Sequence, residues 1–321
     1  MPRSRPLSQV AQYDLALLQG FWTYADRHRL LADLDSGGGP RKSRPPVFKK
    51  WRADRNVLRH PAASLAQEQQ VIEQIPKKMR HRWFGSMRSS QALAQSVFGN
   101  LKVFGLLDTL SSVVTESGDA LLEAMPLDAQ FEYAAEHLGE HDPRQTQLDV
   151  LIRTASGSPA AFECKLSEKD VGQCSRTKLK PAEAGCCNGT YAVQCARRVR
   201  CSLTSLGMTY WEHVPKLLRW NADVDLSPCP LKDTYQLVRN LLAVGIDKGG
   251  AVQPGHVVVI YDDRNPAFRF GRGHKAFETV RASLYEPERL RKCSWQTIVG
   301  HMRKLEALHW LTQQLHEKYG F

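Results

Sequence analysis

Residues 147–168 read QLDVLIRTASGSPAAFECKLSE, and this stretch decides the fold of the chain. It contains two apolar runs, residues 148–154 and 160–166, separated by the turn-forming sequence SGSP at residues 156–159. Apolar or β-branched runs on either side of a Gly/Pro/Ser cluster are typical of a β-hairpin. The sequence therefore predicts two antiparallel strands joined by a tight turn.

Three charged side chains of this hairpin are predicted to lie on one face of the sheet. Side chains alternate between the two faces of a strand, so Glu163 and Lys165 point the same way. If the hairpin closes around Gly157, Asp149 lies opposite Lys165 and Leu151 lies opposite Glu163. Because cross-strand partners point the same way, Asp149, Glu163 and Lys165 converge on one patch.

Two carboxylates and an ammonium group on an otherwise apolar hairpin suit the hydrolysis of phosphodiester bonds. Paired carboxylates repel, and a hard cation such as Mg²⁺ or Mn²⁺ relieves the repulsion through oxygen ligands. The ion polarises a phosphate oxygen, and the nearby Lys stabilises developing negative charge or holds the attacking water. The alternative interpretation is a solvated hairpin face that carries an ordinary Asp–Lys pair.

Asp149, a gap of thirteen residues and then Glu163-Cys164-Lys165 match the D-x(n)-(D/E)-x-K motif. The chain in this respect resembles the PD-(D/E)XK nuclease superfamily, which includes many restriction and repair endonucleases. Over residues 85–300 it also resembles a family of bacterial restriction-endonuclease-like proteins. The segments that carry this wider resemblance are SSQALA (89–94), FEYAAEHLG (131–139), CSR (174–176), YQLVRN (235–240) and YDDRNPAF (261–268).

The resemblance implies an α/β fold with a restriction-endonuclease-like core, in which helices flank a mixed central β-sheet. We expect a basic, mainly helical N-terminal extension over residues 1–84, and a nuclease domain with C-terminal helices over residues 85–321. The implied activity is metal-dependent endonucleolytic cleavage of DNA. RNA is not excluded as a substrate, and cleavage of both strands of a duplex would suggest a homodimer.

Hydrophobic periodicity places the other elements of the predicted order helix–strand–strand–strand–helix–strand. A helix at 233–246 is predicted to begin at the N-cap Asp233. Residues 131–137 and 257–261 read as strands, the first with Phe131, Tyr133 and Ala135 on one face. Further helices are predicted within residues 7–35, 62–75, 89–107 and 191–206, and from residue 294 to the C-terminus.

Three polar residues outside the hairpin are predicted to join the site. In the superfamily a helix before the hairpin and another after the third strand often supply a polar residue, which points to Gln91 and Gln236 here. Glu132, on the first strand, is a candidate additional metal ligand beside Asp149 and Glu163. The alternative for all three is an ordinary surface or capping position.

The charge of the chain is concentrated near its N-terminus. The formal net charge is +11, and residues 1–90 hold 17 Lys/Arg against 7 Asp/Glu. Such a basic region favours polyanions, and its aromatic residues Phe48 and Trp51 could stack on bases. Alternatively, it is a solvated basic loop whose aromatic residues pack on the core. The predicted nucleic-acid contacts are Arg41, Lys42, Arg44, Lys49, Lys50, Arg52, Lys77, Lys78, Arg80 and Arg176.

The eight cysteines are expected to be reduced, because the N-terminus lacks the apolar core of a signal peptide and a cytoplasmic location is the simplest interpretation. No apolar run approaches the roughly 18–20 residues of a membrane span. Several cysteines fall within residues 174–229, where a structural zinc or an iron–sulfur cluster is one hypothesis and small buried apolar side chains are the other. The candidate ligands are Cys174, Cys187, Cys201 and Cys229.

Two other functions stay open at this point. One is a nucleic-acid-binding module that keeps the nuclease fold without cleaving. The other is an interaction protein organised by metal bound to the cysteines.

Overall fold

A five-stranded mixed sheet forms the centre of the protein. The structure is a computed structural model, and it describes residues 7–35, 43–140, 145–183, 185–192 and 200–321. The strands are β1 (Pro126–Ala135), β2 (Thr146–Thr154), β3 (Pro159–Cys164), β4 (His256–Tyr261) and β5 (Leu290–Ser294). They are ordered β1-β2-β3-β4-β5 across the sheet. The first two pairings are antiparallel and the last two are parallel. The predicted α/β class with a mixed sheet flanked by helices is confirmed.

Helices cover both faces of this sheet. Their bounds are α1 (Gln9–Arg27), α2 (Leu65–Glu73), α3 (Ser90–Ala94), α4 (Asn100–Val103), α5 (Tyr210–Leu217), α6 (Leu231–Gly245), α7 (Pro266–Arg269), α8 (Arg272–Ser283), α9 (Trp295–Met302) and α10 (His309–Tyr319). A π-helical turn (Gln95–Gly99) joins α3 to α4. Short 3₁₀ turns lie at Leu31–Asp33, Lys50–Asn56, Lys77–Met79, Leu107–Ser112, Ser175–Lys178, Thr204–Leu206, Pro287–Arg289 and Glu306–Leu308.

Two hydrophobic layers form on the two faces of the sheet. The first core layer joins α1, α3, α9 and α10 to the sheet, through residues such as Phe21, Leu93, Phe162, Trp295 and Leu311. The second core layer joins α5, α6 and α8 to the other face, through residues such as Val214, Leu241, Ala161, Val259 and Phe277. Strands β3 and β4 are almost wholly buried, because they are covered on both faces.

The N-terminal segment shares the first core layer with the rest of the chain. Phe21 and Phe48 belong to the same cluster as Phe162 on β3 and Leu311 on α10. The predicted boundary at residue 84 stays a prediction. The hydrophobic packing is continuous across it.

The hairpin forms, but its register differs from the predicted one. Val150 pairs with Phe162 and Leu151 pairs with Ala161, so the extended register sets Asp149 opposite Glu163 and not opposite Lys165. The cause is the turn, which comprises residues 155–158, between Thr154 and Pro159. A shift of two residues leaves every side chain on its original face, since the side-chain period of a strand is two.

The first strand departs from the predicted alternation at Glu132. Phe131 packs in the first core layer, whereas Ala135 and Tyr133 pack in the second. Glu132 itself has a φ of +49°, in the left-handed region that L-residues rarely adopt. The prediction that Phe131, Tyr133 and Ala135 share a face is therefore wrong, because this backbone conformation interrupts the pleat.

Strand β5 was not predicted, because its charged residues conceal it. Arg291 and Lys292 are buried but paired, with Glu123 and Glu116 respectively. Ion pairing allows a buried strand to carry charges that binary patterning assigns to solvent.

Two helix predictions also need correction or restriction. Helix α6 begins at Leu231 with Pro230 at its N-cap, so Asp233 lies in the first turn and does not cap the helix. Of the predicted helix at 191–206, residues 193–199 lie outside the described residues, and Thr204–Leu206 form a single 3₁₀ turn. Among the helices that the structure describes, none has the length and apolarity needed to cross a membrane.

Candidate active site

Asp149, Glu163 and Lys165 meet where β2 and β3 run side by side, beside α6. Glu163 is 1% exposed and Lys165 is 7% exposed, while Asp149 is half-buried. The Lys165 ammonium lies 2.7 Å from Glu163 Oε1. Asp149 Oδ2 accepts a hydrogen bond from the backbone N–H of Cys164 at 2.7 Å. The structure thus brings the three predicted hairpin residues together.

Helix α6 presents two amides to the buried carboxylate of Glu163. Gln236 Nε2 donates to Glu163 Oε1 at 2.8 Å, and Asn240 Nδ2 donates to Glu163 Oε2 at 2.7 Å. Gln236 Oε1 in turn accepts from the Lys165 ammonium at 3.3 Å. The two amides are four residues apart, so they lie on one face of the helix. Gln236 was predicted; Asn240 was missed, although its i+4 spacing from Gln236 is visible in the sequence.

Helix α3, which packs in the first core layer, presents an amide to the carboxylate of Glu132. Gln91 Nε2 donates to Glu132 Oε1 at 2.6 Å. Gln91 is itself held by the backbone, because its Oε1 accepts from the N–H of His81 and its Nε2 donates to the carbonyl of Met79. The predicted residues Gln91 and Glu132 are therefore in contact, and α3 supplies the polar group expected of it.

Burial and neighbouring carboxylates raise the pKa of Glu132 and of Asp149. Burial raises the pKa of Glu132 to about 7; the hydrogen bond from Gln91 opposes this rise, and the charge of Glu163 adds to it. The pKa of Asp149 lies well above its usual value, first because of burial and then because of Glu163 and Glu132. Three acidic groups with one ammonium leave excess negative charge at the site, which a bound cation would relieve.

Lys165 is held in its charged form. Burial alone would lower the pKa of Lys165, but nearby carboxylates, led by Glu163, outweigh burial, so the pKa lies above the usual value. Glu168 is one of these carboxylates and was not predicted. It accepts hydrogen bonds from Ser90 Oγ at 2.8 Å and from the backbone N–H of Leu166 at 2.6 Å.

The donor set at this site suits a hard divalent cation. Its oxygen donors are the carboxylates of Asp149, Glu163 and Glu132, of the type that Mg²⁺ and Mn²⁺ prefer. The side-chain Oδ1 of Asn240 is also buried next to Glu163, and it has no hydrogen-bond partner among the described residues. Across those same residues, no group of three or more His, Cys, Asp or Glu side chains is placed so as to hold a metal ion. Metal binding would therefore draw these oxygens closer together.

The predicted phosphate contacts divide into exposed and engaged side chains. Lys50, Lys77 and Lys78 are exposed on the surface, and Arg44 is half-buried at the edge of a cavity. Arg80 is almost fully engaged, because its guanidinium pairs with Asp54 and donates to two backbone carbonyls. Arg41 and Lys42 lie outside the described residues.

Two of the three remaining basic candidates, Arg52 and Lys49, have partners within the chain. Arg52 is exposed but lies 3.2 Å from Asp33. Lys49 donates to the carbonyl of Ala32 at 2.7 Å. Arg176 is half-buried, beside the cysteines and not beside the carboxylates.

Two tryptophans are exposed on the N-terminal segment, whereas Phe48 is buried in the first core layer. Trp51 is 68% exposed and Trp83 is 55% exposed. Trp83 lines a cavity of about 450 Å³ together with Arg44, Arg88 and Glu168. Glu168 thus lines this cavity and also contributes to the negative charge that acts on Lys165.

The four candidate cysteine ligands lie apart from the carboxylates. Cys174 and Cys201 are buried in the second core layer, and Cys229 packs against it. Cys187 is half-buried nearby.

Comparison with known proteins gives one family. The family model described as "Restriction Endonuclease associating with ARP" matches residues 34–320. The chain belongs to this family. A search of curated proteins and a search of solved structures each gave no match. The restriction-endonuclease-like resemblance seen in the sequence is confirmed, and membership of the Restriction Endonuclease associating with ARP family indicates a nuclease-type function that acts on nucleic acid.

Proposed function

We propose that this protein is a divalent-metal-dependent endonuclease that hydrolyses DNA phosphodiester bonds. One observation carries the proposal: Asp149, Glu163 and Lys165 converge on one buried patch, where amides from two helices on opposite layers orient the carboxylates. A structural ion pair would not need three carboxylates around one lysine, because the excess negative charge destabilises the fold.

The carboxylates of Asp149 and Glu163, with Glu132 as a third, would hold Mg²⁺ or Mn²⁺. When bound, the ion would supply a Lewis acid that polarises the scissile phosphate. Gln236 and Asn240 hold Glu163 in one orientation through both of its oxygens. A carboxylate fixed in this way loses little conformational entropy when a ligand arrives.

Lys165 would stabilise charge at the reacting phosphate. Its ammonium is charged and 2.7 Å from Glu163, so it can donate to a phosphate oxygen or to the attacking water without a change in protonation. Gln236 would position this ammonium through its 3.3 Å contact.

The substrate would be held by groups around the site. The exposed lysines and the indoles of Trp51 and Trp83 suit phosphate contact and base stacking. Binding that depends on phosphate contacts should weaken steeply as salt concentration rises.

The test is cleavage of duplex and single-stranded DNA in Mg²⁺ or Mn²⁺ by the wild type, Asp149→Asn and Lys165→Ala. We expect Lys165→Ala to lower kcat by about 10²–10³-fold, the usual loss for one electrostatic stabiliser. The matched control is Lys169→Ala, an exposed lysine four residues further along the chain. Equal activity in Lys165→Ala and Lys169→Ala would refute the assigned role.

One observation favours a second function, that of a binding module without cleavage. Both oxygens of Glu163 are already occupied by donors of the protein. In that case no DNA would be cut with either metal, and salt-sensitive DNA binding would be equal in the wild type and in Lys165→Ala.

A further inference from the structure

The stretch between β3 and α6 has little regular structure yet contains four cysteines that lie close together. Its described part includes two single 3₁₀ turns and the short helix α5. Such a stretch gains little stability from helix or strand hydrogen bonds, so it must be held by contacts between distant loops.

Backbone hydrogen bonds link three of the cysteine loops into a closed ring. In each bond the backbone N–H of one cysteine donates to the carbonyl of a residue that follows another cysteine by two or three positions in the sequence. The bonds run from Cys187 to the Arg176 carbonyl (3.1 Å), from Cys229 to the Gly189 carbonyl (2.7 Å) and from Cys174 to the Lys232 carbonyl (2.9 Å). The ring fixes three loops side by side, although the residues come from distant parts of the sequence.

In each of these loops a backbone N–H donates to the sulfur of the cysteine two residues earlier. The pairs are Gly189 with Cys187 (N···S 3.4 Å), Arg176 with Cys174 and Leu231 with Cys229. A hydrogen bond to the charged form of a group favours that form, so these donors favour thiolate over thiol. Thiolate is the form that binds a metal.

The fourth thiol, Cys201, belongs to the same group. Cys201 is buried in the second core layer together with Cys174, and its charge acts on the thiols of both Cys174 and Cys229. Thiolates so close to one another would repel unless a cation lies between them.

We propose that one structural Zn²⁺ ion is bound by Cys174, Cys187, Cys201 and Cys229. Four thiolates match the tetrahedral, all-sulfur coordination of structural zinc sites. The N–H···S bonds would orient the ligands as the outer shell of such a site does. Because no group of three or more His, Cys, Asp or Glu side chains among the described residues is placed so as to hold a metal ion, zinc binding would require the four sulfurs to move closer together.

The bound ion would also fix the start of α6. Cys229 lies two residues before Leu231, where this helix begins, and α6 carries Gln236 and Asn240. The zinc site would thus stabilise the frame that positions Glu163. The inference does not depend on the proposed cleavage reaction, since zinc content can be measured in a protein that cuts nothing.

The other described cysteines serve as matched controls. Cys164 and Cys293 are buried in the first core layer, on the opposite face of the sheet. Cys186 is adjacent to Cys187, but its thiol donates to the carbonyl of Pro181 at 3.3 Å.

The experiment measures zinc and iron by mass spectrometry in the full chain, purified without added metal. We expect about one zinc per chain in the wild type and in Cys186→Ser and Cys293→Ser, as a closed four-ligand site requires. Cys187→Ser and Cys201→Ser should each retain less than about a tenth of that amount, because three ligands hold structural zinc poorly.

A second readout covers variants that fail to fold. Zinc is removed from the wild type with a thiol reagent, the thiols are restored, and Co²⁺ is added; tetrahedral thiolate coordination gives intense visible bands. Their appearance would support the site. A wild type free of zinc that gives no such bands, full zinc in Cys201→Ser, or iron with a charge-transfer spectrum in place of zinc would each overturn the proposal.

Discussion

The carboxylate site and the cysteine site hold similar numbers of reactive side chains by different means. Asp149 and Glu163 stand on two adjacent strands and Lys165 directly follows the second, so the sheet itself sets their separation and direction. The cysteines stand on irregular loops that are joined by backbone hydrogen bonds. Charged groups on the sheet are pre-positioned, whereas the proposed zinc ion would complete the arrangement of the cysteines on the loops.

This difference suggests that the two ions have separate roles. A cation at the carboxylates would take part in chemistry while the fold persists without it, because β2 and β3 each have a neighbouring strand on both sides in the sheet. An ion at the cysteines would stabilise the local fold itself, as structural zinc does. Each prediction below tests one side of this contrast.

Removal of Mg²⁺ should produce the largest effect. Dialysis into buffer free of divalent ions is expected to lower the cleavage rate about 10³-fold or more, because Lewis-acid stabilisation is worth several kcal/mol. The susceptibility of residues 174–229 to limited proteolysis should not change. Cleavage that persists without divalent ions would refute the catalytic role of a cation at the carboxylates.

Loss of the zinc site should make residues 174–229 more susceptible to proteolysis. Cys201→Ser is expected to speed proteolysis within residues 174–229 by about tenfold or more, since structural zinc supplies local folding energy. Cys293→Ser, buried in the other layer, is the control. Uniform unfolding of the chain, measured by hydrogen exchange in the sheet as well as in the loops, would show that the two regions are not separable.

Asn240 should affect stability and activity together, because its amide holds the buried carboxylate of Glu163. Asn240→Ala leaves Glu163 Oε2 without its donor, which is expected to lower the free energy of unfolding by about 1–3 kcal/mol. Asn240→Asp should cost more, since it places a second negative charge beside Glu163. Lys232→Ala, an exposed position in α6, controls for helix effects in urea unfolding.

The smallest effect should be a pH dependence of the metal-free protein. The pKa of Glu132 rises from 4.5 to about 7 on folding, so the folded state binds more protons than the unfolded state between these values. Stability should therefore fall as pH rises through this window. Glu132→Gln should flatten the change, and added Mg²⁺ should reverse it in the wild type. The measurement is a series of thermal melts at pH values between the unfolded and folded pKa of Glu132. The same change of stability with pH in Glu132→Gln would contradict the assignment of this effect to Glu132.

The hairpin shows how far the pattern of residues can be trusted. The predicted register was wrong by two residues, yet the three charged side chains still converge, because a shift of two preserves the face. The break at Glu132 could not be predicted, since a left-handed backbone at a Glu follows from its surroundings and not from its propensity. Strand β5 was concealed for a related reason: the partners that neutralise Arg291 and Lys292 come from a distant loop.

The sequence by itself determined the α/β class, the hairpin and the shared face of Asp149, Glu163 and Lys165. These features depend on side-chain periods of two and of 3.6, which act within a few residues of the chain. Only the tertiary structure decided that Asn240 reaches Glu163 and that three cysteine loops close into a ring. Those contacts join residues that lie 11 to 77 positions apart, and hydrogen bonds between loops leave no periodic trace in the sequence.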